Sequence, residues 1–87
     1  MSNNIIVYSS DSCYYCAQAK KLLDKLNLSY EEINIQSFPE KRDEMLSRSN
    51  GKRTVPQIFV NDQHVGGFDE LNNLIKKDEF NSLLLNE

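Results

Sequence analysis

Cys13 and Cys16 are the only cysteines of the chain, three positions apart in SSDSCYYCAQAKKLLDKL, residues 9–26. Such a pair serves metal binding, a structural staple or redox exchange. A structural zinc site takes four nitrogen or sulfur ligands, usually two cysteine pairs or one pair with two histidines. This chain has one pair and one histidine, His64, so no protein-only metal site is expected. A staple acts by closing a long loop in the unfolded chain, and two intervening residues close almost nothing. Thiol–disulfide chemistry in a reducing compartment, most simply the cytoplasm, is what remains.

The residues after the pair assign unequal roles. Ala19, Leu22, Leu23 and Leu26 fall at i, i+3, i+4 and i+7, one face of an amphipathic helix, with Ser12 or Asp11 available as its cap. Cys13 then sits at the helix start, where unpaired N–H groups and the positive end of the macrodipole stabilise a thiolate. Cys16, one turn further in, is expected to be more buried and less acidic. Cys13 is therefore the nucleophile that forms a mixed disulfide, and Cys16 the thiol that attacks Cys13 to release the product. Two inert buried thiols are the plainer alternative. A CxxC pair that follows a strand and opens a helix argues against it.

The elements that must hold the pair follow from pattern. NIIVY, ending at Tyr8, reads as a buried strand, and LSYEEINI, with Tyr30, Ile33 and Ile35, as a second. SFPEKRDEMLSRSNG carries a cap at Ser37, a proline in the first turn, Met45 and Leu46 inward and Asn50-Gly51 as the stop, which makes a second helix. PQIFV and HVGG, joined by NDQ, read as a hairpin. Asp69 caps a third helix through Leu71, Leu74 and Ile75, and Phe80, Leu83 and Leu84 form a last amphipathic piece. The order β-α-β-α-β-β-α implies an α/β fold with a four-stranded mixed sheet flanked by helices. Helical crossovers predict parallel strands one to three, with the hairpin as an antiparallel edge.

The totals bound what this fold can do. At 87 residues it is expected to be one domain over 1–87. The net charge of −3, with Lys and Arg interleaved among acids, argues against a nucleic-acid partner. The apolar run IIVY is far shorter than a signal-peptide core or a membrane span, so an unprocessed cytoplasmic protein away from membranes is expected, most simply a monomer.

CYYC after strand one, TVPQIF at Thr54–Phe59 and GGFDE at Gly66–Glu70, in this order and spacing, resemble the glutaredoxins over essentially the whole chain, in particular the small bacterial-type dithiol members. The resemblance implies a thioredoxin-like fold and glutathione-dependent reduction of protein disulfides and glutathione mixed disulfides, with glutathione as cosubstrate and disulfide-containing or glutathionylated proteins as partners. It implies that Pro56 is cis and faces the cysteines, so that the Val55 N–H and C=O pair with the cysteinyl unit of glutathione as a short added strand. Gly66 and Gly67 let backbone approach a ligand, and the N–H groups of Phe68 and Asp69 suit the γ-glutamyl carboxylate, with the Asp69 side chain toward the ammonium. Thr54 and Tyr15 line the same groove, and Arg53 meets the glycyl carboxylate. His64 receives no role.

The chain departs from the family in two places. Tyr14 stands where proline is frequent, and Ser10 where lysine is frequent, which removes a cation near Cys13 while Asp11 adds an anion. Tyr14 leaves open an alternative, a dimer bridging a [2Fe-2S] cluster with glutathione. A second alternative is a thioredoxin-like donor fed by a flavoprotein reductase, against which GGFDE speaks.

Overall fold

In the computed structural model of the chain, the described residues are 3–84. The elements are β1 (Ile5–Ser9), α1 (Tyr14–Lys25), β2 (Glu31–Asn34), α2 (Glu40–Arg48), β3 (Gln57–Val60), β4 (Gln63–Gly66), α3 (Phe68–Lys76) and a 3-10 helix, Phe80–Leu83. This is the expected order, with the C-terminal amphipathic piece realised as a 3-10 turn. The sheet order is β2-β1-β3-β4, which makes β1 and β3 the central strands. Accordingly all five residues of β1 and all four of β3 are buried.

Side-chain alternation along β1 splits the core into two layers. Ile5 and Val7 pack with Ala19 and Leu23 of α1, Leu71 of α3, Ile58, Val60 and Phe80. Ile6 and Tyr8 face the other way, against Phe59 and Met45 of α2. Tyr30 joins the first layer, whereas Ile33 and Ile35 join the second, as their opposite parity requires. The predicted face of α1 holds for Ala19 and Leu23, fully buried; Leu26 is its C-cap and remains 39% exposed.

One topological expectation fails. β1 is parallel to β2 (Tyr8 opposite Ile33) but antiparallel to β3 (Tyr8 opposite Gln57). The helix between β2 and β3 lies along the sheet: the Tyr8 hydroxyl donates to Glu44 and accepts from Arg48 at 3.0 Å, and Arg48 also reaches Asp62 of the β3–β4 turn, 3.3 Å away. Ser49–Pro56, with no helix or strand of its own, then runs back. At ~3.3 Å per extended residue that stretch is long enough to recross the sheet before β3 begins.

Three caps also move. Cys13 itself, extended at φ −103° and ψ 109°, is the N-cap of α1, not Ser12 or Asp11. Ser37 caps nothing. Asn34 Oδ1 accepts from the Gln36 and Ser37 amides to turn the chain, and Pro39 occupies the N-cap of α2. Gly67 replaces Asp69 as the N-cap of α3. The hairpin turn is shorter than NDQ: Asn61 and Asp62 alone, both at positive φ, form it, and Gln63 already pairs with Val60.

Candidate functional site

Cys13 and Cys16 are joined as a disulfide, with Cα atoms 5.2 Å apart. The Cys13 sulfur accepts a hydrogen bond from the Cys16 amide (3.1 Å), while the Cys13 carbonyl accepts the first intrahelical bond from Ala17 (3.1 Å). The sulfur therefore takes the place that a Ser or Asp oxygen usually fills at a helix start. In the reduced protein the same amide would meet a thiolate, and the first turn of α1 carries no acidic residue to oppose it. Cys13 is partly exposed and Cys16 only 1% exposed, so one sulfur is open to a partner and the other waits behind it.

The Val55–Pro56 peptide bond is cis, and the Val55 carbonyl oxygen lies 3.8 Å from the Cys13 sulfur. Beside it opens a cleft of about 200 Å³. Tyr15, Thr54, Val55, Pro56, Gly67, Phe68 and Asp69 line it, together with Glu70. The structure thus brings together the predicted groove residues except Arg53, which is exposed and outside the lining, and Gly66, which is buried and does not line the cleft. Tyr15, 55% exposed, stacks on Phe68 at 6.0 Å between ring centroids, and Tyr14, 68% exposed, meets Tyr15 edge-on at 5.2 Å. Three rings therefore run from Cys13 to the far wall.

That far wall is the start of α3. Its first intrahelical bond is from the Leu71 amide to the Gly67 carbonyl (3.1 Å), so the amides of Phe68, Asp69 and Glu70 precede it. Asp69 is exposed in the first turn. Glu70, which has no assigned role in the sequence motif, folds its carboxylate back to accept from the Gly67 amide at 2.7 Å. This is one half of a capping box. The signal was present as a glutamate three residues after a helix-starting glycine, and it was hidden by placing the cap at Asp69.

On the opposite flank of Cys13 a polar cleft of about 560 Å³ is lined by Ser10, Asp11, Ser12, Tyr14, Lys20 and Glu32 among others. Its one cation, Lys20, is paired with Glu32 at 2.8 Å, and Glu32 also accepts from Ser9 Oγ at 2.6 Å. These hydrogen bonds, that from Lys20 first, hold the Glu32 carboxyl below the usual carboxylate range, and Glu32 in turn raises Lys20. Asp11 is held by Asn34 Nδ2 at 2.8 Å. Among the described residues no group of three His, Cys, Asp or Glu side chains is placed to hold a metal ion, and no helix is long and apolar enough to cross a membrane.

A vicinal dithiol at a helix start, facing a cis-proline loop at one end of a mixed four-stranded sheet, defines a thioredoxin-like thiol–disulfide oxidoreductase. Residues 5–65 match the family described as Glutaredoxin. Glutaredoxin 1 of Rickettsia conorii is 46% identical over 98% of this chain and 84% of its own length. The solution structure of glutaredoxin from Brucella melitensis superposes with a TM-score of 0.79 at 42% identity, covering 93% of this chain and 87% of that one. The crystal structure of a buckwheat glutaredoxin–glutathione complex gives a TM-score of 0.83 at 29% identity, covering 94% and 76%. The chain belongs to the glutaredoxin family.

Proposed function

We propose that the protein reduces glutathione mixed disulfides and protein disulfides at the expense of glutathione, as a monomer of the reducing cytoplasm. The observation that carries this reading is the cleft of Tyr15, Thr54–Pro56 and Gly67–Asp69, whose Val55 carbonyl lies 3.8 Å from the Cys13 sulfur, since a mixed-disulfide partner bonded to Cys13 needs a seat within a few ångströms. The buckwheat relative, solved with glutathione, supports the choice of tripeptide.

In the reaction the Cys13 thiolate attacks the glutathione sulfur of a mixed disulfide. A Cys13–glutathione bond forms, the substrate S–S bond breaks, and the departing thiolate takes a proton from water. A second glutathione thiolate attacks the bound glutathione sulfur, leaving glutathione disulfide and regenerating the Cys13 thiolate. On a protein disulfide, Cys16 attacks Cys13 in the intermediate and releases the reduced protein, and two glutathione thiols then return the two electrons. During glutathione binding, the Val55 backbone pairs with the cysteinyl unit and the helix-start amides of Phe68 and Asp69 receive the γ-glutamyl carboxylate. The glycyl carboxylate extends past the Thr54 end of the cleft, where Arg53 can approach from solvent.

Cys13→Ser is expected to abolish turnover, whereas Cys16→Ser should retain reduction of a glutathionylated peptide, because glutathione itself resolves that intermediate. Glutathione with glutathione reductase should drive the wild-type protein, and thioredoxin reductase should not. Near-normal turnover by Cys13→Ser, or preference for thioredoxin reductase, would overturn the reading.

A further inference from the structure

Gln57 is a polar side chain inside the sheet, 3% exposed, and its partners orient it uniquely. Its Nε2 donates to the Thr54 carbonyl at 3.0 Å and to Thr54 Oγ1 at 3.3 Å. A flipped amide would set Oε1 against the Thr54 carbonyl, two acceptors face to face. Gln57 Oε1 is therefore the end that meets His64 Nε2, at 2.7 Å. Because an amide oxygen only accepts, His64 must carry its proton on Nε2.

The imidazole is itself held. It stacks on the Phe59 ring with 4.9 Å between centroids and 29° between planes, and Phe59 is a buried member of the core layer beneath α2. His64 is an exposed residue of β4 whose ring is covered on the Phe59 side; the desolvation this brings and the positive charge of Lys52 push its pKa down, which favours the neutral ring, against a smaller opposing effect of Glu70. A continuous chain thus runs from the core through His64 and Gln57 to Thr54, and ends on the loop whose Val55 carbonyl lies beside Cys13.

We infer that His64 and Gln57 are positioning residues of the active site: the edge strand braces the Thr54–Val55–Pro56 wall through a histidine–glutamine relay and so holds the backbone that receives the partner of Cys13. The inference rests on the reading that this cleft seats the glutathione unit. It gives a role to a histidine with no other partner in the chemistry. Gln57 spans the loop from Thr54 to the first residue of β3, so losing its orientation frees the wall without touching either cysteine.

The test uses the intact protein and two peptide substrates, one glutathionylated and one carrying the same cysteine as a mixed disulfide with free cysteine. His64→Ala removes the donor to a buried oxygen and should raise KM for the glutathionylated peptide about three- to tenfold, the equivalent of one such hydrogen bond. The kcat, the rate with the cysteine-capped peptide and alkylation of Cys13 by iodoacetamide should stay within about twofold. His64→Gln, whose amide can still donate, should recover most of the loss. In the wild-type protein, nitrogen-15 shifts of the imidazole should report the Nε2–H tautomer, a readout that needs no substrate. An Nδ1–H tautomer, an unchanged KM in His64→Ala, or equal losses with both peptides and in alkylation would overturn the brace. A wild-type protein that does not prefer the glutathionylated peptide, with the Nε2–H tautomer intact, would instead overturn the cleft reading on which the brace depends.

Discussion

Replacing Glu70 by alanine probes the wall of the cleft opposite Val55. Two features are lost together: the 2.7 Å bond from the Gly67 amide, and the side chain that lies over Gly66, where an added Cβ would meet Glu70 Oε1 at 2.8 Å and Cγ at 3.0 Å. The bond is exposed, so water can replace the acceptor, and the loss should lie near 0.5–1.5 kcal/mol, the range of a helix-cap interaction. For a domain of this size about 1 kcal/mol lowers the melting temperature by about 4–8 °C. Glu70→Gln keeps an acceptor but removes a negative charge from a helix start, worth about 0.3–1 kcal/mol at low salt. It should fall between wild type and alanine, and its deficit should shrink in salt. Gly66→Ala adds a sharper check. Gly66 sits at φ +118°, so the methyl group is strained by the backbone and also collides with the carboxylate. The collision is relieved in a Glu70→Ala background and the backbone strain is not, so the two substitutions should be less than additive. Calorimetry on the four proteins measures this, and kcat/KM for a glutathionylated peptide should fall about two- to fivefold in Glu70→Ala as the Gly67–Phe68 turn loosens. Simple additivity of the two substitutions, or a Glu70→Ala protein with unaltered melting and KM, would refute a supporting role for Glu70 at the start of α3.

Two further outcomes concern the other flank of Cys13. Because Lys20 and Ser9 depress the Glu32 carboxyl in the folded protein, its stabilising contribution is present above the ordinary carboxylate range and is lost as pH falls through the depressed folded value. Glu32→Gln should therefore flatten the acid limb of a plot of urea midpoint against pH, modestly because the pair is partly exposed, and an unchanged limb would show that the pair carries no linkage. Ser10→Lys should add an unpaired cation to a cleft whose Lys20 is already neutralised by Glu32. At roughly 6–8 Å and an effective dielectric of about 40–80, that cation favours a thiolate enough to speed iodoacetamide alkylation of Cys13 about two- to tenfold in a Cys16→Ser background. The gain should vanish in high salt, and an equal rate at low salt would sink the charge argument.

What the sequence made legible was local. The spacing of Ala19 and Leu23 announced α1, the β-branched run announced β1, and Cys13 stood at the helix start because the apolar period begins just after it. Cap positions were less legible because several short polar side chains compete within a few residues of each helix start. Asn34 outcompeted Ser37 by reaching two amides at once, and Gly67 displaced Asp69 because Glu70 lies at the spacing that reaches back to it. His64 was opaque for a different reason. Its partner is set across strands: it pairs with Phe59, past an irregularity between Ile58 and Phe59, which leaves Gln57 as its diagonal neighbour on the same face. Diagonal neighbours lie about 7–8 Å apart at the backbone, and only long side chains bridge that gap.

The direction of β3 was the costliest ambiguity, because the site depends on it. With β1 and β3 antiparallel, the end of β1 at Tyr8 faces the beginning of β3 at Gln57. The loop leaving β1 toward Cys13 and the loop reaching β3 through Val55 therefore emerge side by side at one end of the sheet. Were β3 parallel to β1, the approach to Gln57 would lie at the opposite end, a displacement of about 13 Å at ~3.3 Å per strand residue. Val55 could not then stand 3.8 Å from the Cys13 sulfur, where its carbonyl now lies. The hairpin turn at Asn61–Asp62 completes the geometry by returning β4 toward that same end, so that Gly66 and Gly67 start α3 beside the cysteine loop. The cleft is thus a consequence of two reversals, Ser49–Pro56 and Asn61–Asp62, each bringing a backbone segment back to the end of the sheet where α1 begins.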